Sequence, residues 1–122
     1  MKEISPQMQN QIAQYQQLQQ QLQVLASQRI QLESKLREID SSLEELGKAA
    51  PETAIYKSIG TLLVKSDDHE ALKKELEEHK ETVSIRVKAI QKQEKSLSER
   101  FEQLQQKISD ALQGKSGEGE GG

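Results

Sequence analysis

Few residues in this chain are spaced for chemistry. His69-Glu70 opens like the His-Glu-x-x-His zinc-protease motif, but Lys73 stands where the second histidine belongs. His69 and His79 lie ten residues apart, too far to share a metal from one helix. Lys65-Ser66 resembles the end of a phosphate-binding loop, yet no Gly-x-x-x-x-Gly precedes it and Gly60 is alone. There is no cysteine, hence no thiol nucleophile, disulfide frame or zinc–cysteine site. Ser, Asp and Glu are plentiful but fall on solvated helix faces and converge on no pocket. The expectation is no enzyme: no catalytic residue, no metal and no cofactor.

Composition narrows the remaining classes. In 122 residues only 33% are hydrophobic and 2% aromatic, and the mean hydropathy is -0.82. That is too little apolar mass for a rounded multilayer core, and the abundance of Glu, Lys, Leu and Gln favours long helices. The 17 basic and 20 acidic residues nearly balance, so there is no basic stripe for nucleic acid. No apolar run reaches the roughly 18 residues of a membrane span, and the first six residues are no signal peptide. A cytoplasmic protein is expected.

The elements that organise the chain are helical. Ser5-Pro6 reads as N-cap and first helical position. From there Met8, Tyr15, Leu22, Leu36 and Leu43 form one heptad stripe, and Leu18, Leu25, Leu32, Ile39 and Leu46 the other. Only Gln11 and Arg29 interrupt them, which is a coiled-coil signal. Gly47 is the expected C′ terminator. Between Gln7 and Gln31 nearly half the residues are glutamine and Arg29 is the only charge. This is either a plain solvated face or an uncharged surface that repels no partner.

A second helix is expected from Asp67, as N-cap with Glu70 three residues on. Its apolar positions are Leu72, Leu76, Val83, Val87, Ile90, Leu97, Phe101, Leu104 and Ile108, ending near Leu112, with His79 and Glu94 filling seam positions between them. Val83, Val87 and Ile90 step by four and then three, a stutter that leaves Arg86 off the seam. Arms of similar length should pack antiparallel. That fold-back places Arg29 level with Ile85 and Arg86, as a flexure point, and Tyr15 near Phe101 and Leu97.

Between the arms lies the one apolar, β-branched run of the chain, residues 55–65 with Gly60 at its middle. A type II′ turn at Gly60-Thr61 sets Ile59 opposite Leu62, Ser58 opposite Leu63, Lys57 opposite Val64 and Tyr56 opposite Lys65. Ile59, Leu62 and Val64 then share one face, and Tyr56 and Leu63 the other. A lone hairpin is marginal in water and leaves two unpaired edges. Pairing edges and burying faces against copies or relatives of itself resolves both problems. Ile55, Tyr56, Ile59, Gly60, Leu62, Leu63 and Val64 are therefore the expected oligomerisation residues; the other arrangement is a hairpin folded back on its own helix ends.

The whole pattern resembles a prefoldin β-type subunit of archaeal kind. The resemblance rests on the run from Ala54 through Tyr56-Lys57-Ser58-Ile59-Gly60 to Val64-Lys65 between matched heptad helices. The glutamine-rich opening Gln14-Tyr15-Gln16-Gln17-Leu18 and the later Gln93-Glu94 extend it. The fold it implies is mainly α: a long antiparallel two-helix coiled coil whose central β-hairpin joins an oligomeric β-barrel. One domain spans residues 1–122, with helices at 6–46 and 67–112, linker and hairpin at 47–66, and a disordered Gly/Glu-rich tail at 113–122.

The implied assembly is a hexamer of two α-type and four β-type subunits, this chain binding an α-type subunit and other copies of itself. The implied activity is ATP-independent capture of unfolded client proteins at the coiled-coil tips and delivery to a group II chaperonin. At those tips Met8, Ile12, Tyr15 and Leu18 approach Leu97, Phe101, Leu104 and Ile108, the expected client-binding set, with Ile12 off the seam. Seam packing is the plainer role for the others. The alternative function is a structural or tethering coiled coil oligomerised through its hairpin.

Overall fold

The computed structural model describes residues 4–114. The element order is α1 (Pro6–Lys48), β1 (Ile55–Ile59), β2 (Leu62–Ser66) and α2 (His69–Leu112). The chain forms two compact units. A hairpin unit holds residues 30–88, and a terminal unit holds the chain on either side of it, 4–29 with 89–114. Of the disordered tail expected at 113–122, Gln113 and Gly114 instead form a hydrogen-bonded turn that closes α2, and the remainder lies outside the described residues.

The helix ends follow local chemistry. The Met8 amide donates to Ser5 Oγ at 3.0 Å, and the Gln9 amide to the Ser5 carbonyl at 2.9 Å, so Ser5 caps α1 as expected. The other end of α1 corrects the sequence reading. Gly47 is helical, has no positive φ, and α1 runs on to Lys48. What stops it is Pro51: the residue before a proline is disfavoured in helical conformation, and proline itself offers no amide. The Ala49 amide tightens onto the Leu46 carbonyl at 3.3 Å, and a turn from Ala50 to Thr53 closes at 2.9 Å with Pro51 in its second position.

The start of α2 is also shifted. The Ala71 amide donates to Asp68 Oδ1 at 3.0 Å, and the Leu72 amide to the Asp68 carbonyl at 3.1 Å. Asp68, not Asp67, is therefore the N-cap, and Ala71 instead of Glu70 takes the N3 position. A C′ glycine does exist, but at the far end of α2. Gly114 has φ 72°, and its amide bonds the Ala111 carbonyl at 3.2 Å, the left-handed termination that glycine permits.

Within the hairpin unit Ile39, Val83 and Val87 are buried together, with Leu32, Leu36, Leu43 and Leu76 packed against them. Val83 and Val87 both face this core while Ile85 and Arg86 are exposed, which is the four-residue step of the stutter. Lys80 Nζ meets Asp40 Oδ1 at 2.7 Å. His79 is exposed; the seam position assigned to it is not an interior one. Within the terminal unit Leu18 is buried, while Met8, Leu22, Leu25, Ile90, Leu97 and Leu104 are half-buried. Two helices cover only one side of each seam residue, so few are enclosed.

Arg29 does not face the stutter. Its Nε lies 2.7 Å from Glu94 Oε1. Two of the four polar interruptions of the seams thus meet each other, in place of the expected level of Arg29 with Ile85 and Arg86. Tyr15 meets Phe101 and Arg29 meets Glu94, so within this unit α1 advances as α2 retreats, an antiparallel pair.

Candidate functional site

Among the described residues no group of three His, Asp or Glu side chains could hold a metal, and no helix is long and apolar enough to cross a membrane. The surfaces that stand out are apolar, one in each unit.

The first is the hairpin. Its register pairs Ile59 with Leu62, Ser58 with Leu63, Lys57 with Val64, Tyr56 with Lys65 and Ile55 with Ser66. Gly60 has φ 59°, and among the described residues no non-glycine residue has positive φ. A type I′ turn needs positive φ at both central residues, so the turn is II′ as the sequence predicts. Alternation then places Ile55, Lys57, Ile59, Leu62 and Val64 on one face, and Tyr56 and Leu63 on the other.

The first face turns toward α2 at its base only. Lys57 Nζ meets Glu75 Oε1 at 2.6 Å, and Ile55, Lys57 and Ser66 are half-buried. The rest stays in the open: Leu63 is 72% exposed, Leu62 65% and Tyr56 58%, with Ile59 and Val64 also exposed. The sheet has two strands among the described residues, so both outer edges are unpaired. Five large apolar side chains on a two-stranded ribbon exceed what a solitary hairpin leaves in water, and unpaired edges template further strands. All seven expected oligomerisation residues lie on this ribbon. Folding back on the helix ends covers its base alone.

The second surface belongs to the terminal unit. Tyr15 and Phe101 stack with ring centroids 4.5 Å apart and planes 21° from parallel. Beside them Ile12, Tyr15, Ile108 and Leu112, with glutamines from both helices, line an open groove of about 550 Å³. Ile12, Tyr15 and Ile108 are thus brought together as expected. Leu18 is not, because it is buried in the helix pair. Met8, Leu97, Phe101 and Leu104 are half-buried seam residues.

Sequence reasoning missed Leu112 at 66% exposure and Val24 at 56%. Val24 carries the same signal that picked out Ile12: an apolar residue off both stripes within an uncharged run.

The family model described as "Prefoldin subunit" matches residues 9–115, nearly the whole described chain. The chain belongs to the prefoldin family. Two relatives named "Prefoldin subunit beta" agree in length as well as sequence. The one from Archaeoglobus fulgidus is 49% identical over 117 residues, covering 96% of this chain and 100% of its own. That from Methanosarcina acetivorans is 46% identical over 110 residues, covering 90% and 93%. The crystal structure of the prefoldin beta subunit from Thermococcus strain KS-1 is similar at a TM-score of 0.82. It is 35% identical and covers 92% of this chain and 97% of that one. The resemblance to the β type is therefore supported by sequence and by fold, and the single hairpin between two long helices is the shared prefoldin architecture. Prefoldin is a family of chaperones, not of enzymes.

Proposed function

We propose that this chain is the β-type subunit of an ATP-independent holding chaperone. In this reading two α-type and four β-type subunits join their hairpins into a β-barrel platform. The helix pairs then carry apolar grooves that capture unfolded proteins and pass them to a group II chaperonin in the cytoplasm. The observation that carries it is the uncovered hairpin, apolar on both faces and unpaired at both edges in a chain of prefoldin fold. Assembly buries those faces, and each large side chain fully removed from water contributes roughly 1.5–3 kcal/mol.

The capturing surface follows from the terminal unit. Met8, Ile12, Tyr15, Leu97, Phe101, Leu104 and Ile108 are neither enclosed nor fully exposed. A client that covers them gains part of the same burial energy, and Leu18 joins only where the pair opens. Contacts of this size are weak singly and strong when several subunits act on one client. Release then needs no nucleotide.

The test is aggregation of a chemically denatured client, followed by light scattering. The chain reconstituted with an α-type partner should suppress it without nucleotide. A reconstituted hexamer that suppresses nothing would leave a tethering coiled coil as the better reading.

A further inference from the structure

The terminal unit carries a second open groove, of about 730 Å³. Its floor includes the seam residues Leu25 and Leu97, and glutamines line both sides: Gln17, Gln20 and Gln28 from α1 and Gln93 from α2. One ionisable side chain joins them, Arg100. Among the described residues its guanidinium has no ion pair. No Asp or Glu stands three or four residues to either side of it, so the helix itself provides no partner.

We infer that this groove holds an extended polypeptide segment bearing a carboxylate, with the backbone against the glutamine amides and the carboxylate on Arg100. A folded helix has already paired its amides and carbonyls internally, and would find little use for walls of primary amides. An unfolded segment has both groups free. A glutamine amide donates and accepts, so it matches either group whatever side chains the segment carries. The charge of the groove decides the rest. No acid lines it and one guanidinium does, a fork that accepts a carboxylate through two parallel N–H bonds. The apolar groove near Ile12 and this one would then take different stretches of one client. The inference rests on the proposed capture of unfolded proteins.

Fluorescence anisotropy on the assembled hexamer tests it, with three labelled unstructured peptides of Gly, Ser, Ala and Thr. One carries a central glutamate and an amidated C-terminus, one a glutamine and an amidated C-terminus, and one a glutamine and a free C-terminal carboxylate. A carboxylate peptide should bind about fivefold more tightly than the neutral one, the scale of an exposed ion pair. The tighter of the two names the source of the carboxylate. Arg100→Gln should erase the ratio. So should Gln21→Glu, which sets an internal carboxylate in the recess Gln21 shares with Arg100. Equal binding of all three peptides by the unmodified hexamer, or a ratio that survives both substitutions in intact hexamers, would overturn the groove assignment alone. Failure of the unmodified hexamer to suppress client aggregation would overturn the chaperone reading and this inference with it.

Discussion

Arg29 and Glu94, each a break in the apolar seam of its own helix, meet at 2.7 Å and neutralise each other half-buried between α1 and α2. The pair does more than remove two defects. Slipping the helices by one heptad would set Arg29 against Phe101 or Val87, and Glu94 against Leu36 or Leu22. Each slip leaves a desolvated charge among apolar side chains, so the correct register is the one in which both are satisfied.

Glu94→Ala is expected to destabilise the helix pair by roughly 1–3 kcal/mol, measured by denaturant unfolding followed by helical circular dichroism. A fully enclosed pair would lose more, but these side chains keep 28% and 19% of their exposure. The exchange Arg29→Glu with Glu94→Arg should recover most of the loss. Leucine at both positions should leave stability equal or higher while admitting slipped registers, seen as more than one distance between spin labels on the two helices.

The caps at α2 give a second prediction, and a sharp contrast. Asp68→Ala removes the side chain that accepts the Ala71 amide and should lower stability by about 1 kcal/mol. Asp67→Ala, one residue away, should change it by less than about 0.5 kcal/mol. Thermal unfolding of the two variants side by side decides which aspartate holds the helix start.

Gly60→Val should dissociate the assembly. A β-branched residue at φ 59° is strained by roughly 1–3 kcal/mol, and the hairpin relieves that strain by giving up its II′ turn. Sedimentation velocity should show dissociated subunits. A hexamer of unchanged mass would separate assembly from the turn.

Cutting the helices back so that α1 starts after Tyr15 and α2 ends before Leu97 should abolish client capture and leave the hexamer intact. Tyr15→Ala and Phe101→Ala, taken as a double-mutant cycle, should show a coupling of about 0.5–1.5 kcal/mol from the stacked rings. Light scattering reads the first effect and denaturant unfolding the second. Loss of the hexamer on truncation would contradict the division between assembling hairpin and capturing ends.

Much of this is legible in the sequence itself. A glycine inside a short β-branched run defines both turn and register, because pairing partners are counted outward from it; every pair from Tyr56–Lys65 to Ile59–Leu62 follows. Heptads at Leu18, Ile39, Val83 and Val87 predict the buried residues for the same reason: spacing determines the face. What failed were choices between near-equivalents. Gly47 and Gly114 look alike in sequence, but only one follows a helix that nothing else stops; Pro51 had already ended the other. Asp67 and Asp68 are both good caps by residue type, and spacing alone does not separate them; the helix starts at His69, which leaves Asp68 as the residue before it. The level of Arg29 was misjudged because equal arms were aligned end to end. The fold-back is centred near the turn at Gly60–Thr61, and residues 29 and 94 lie almost symmetrically about it. Leu112 and Val24 were missed because stripe-counting records what is on a seam and passes over apolar residues beside it.

From Gln7 to Gln28 α1 carries no charged side chain at all. Ionic strength therefore has almost nothing to act on along this stretch, whereas the exposed pairs Lys80–Asp40 and Lys57–Glu75 weaken as counterions screen them. In the proposed capture, apolar client surface is drawn to the neighbourhood of Ile12 and Tyr15 by exclusion of water, which added salt leaves alone or, for sulfate and phosphate, strengthens. Under the proposed capture, the apolar part of the hold on a client should persist when salinity swings, while a carboxylate contact at Arg100 should weaken.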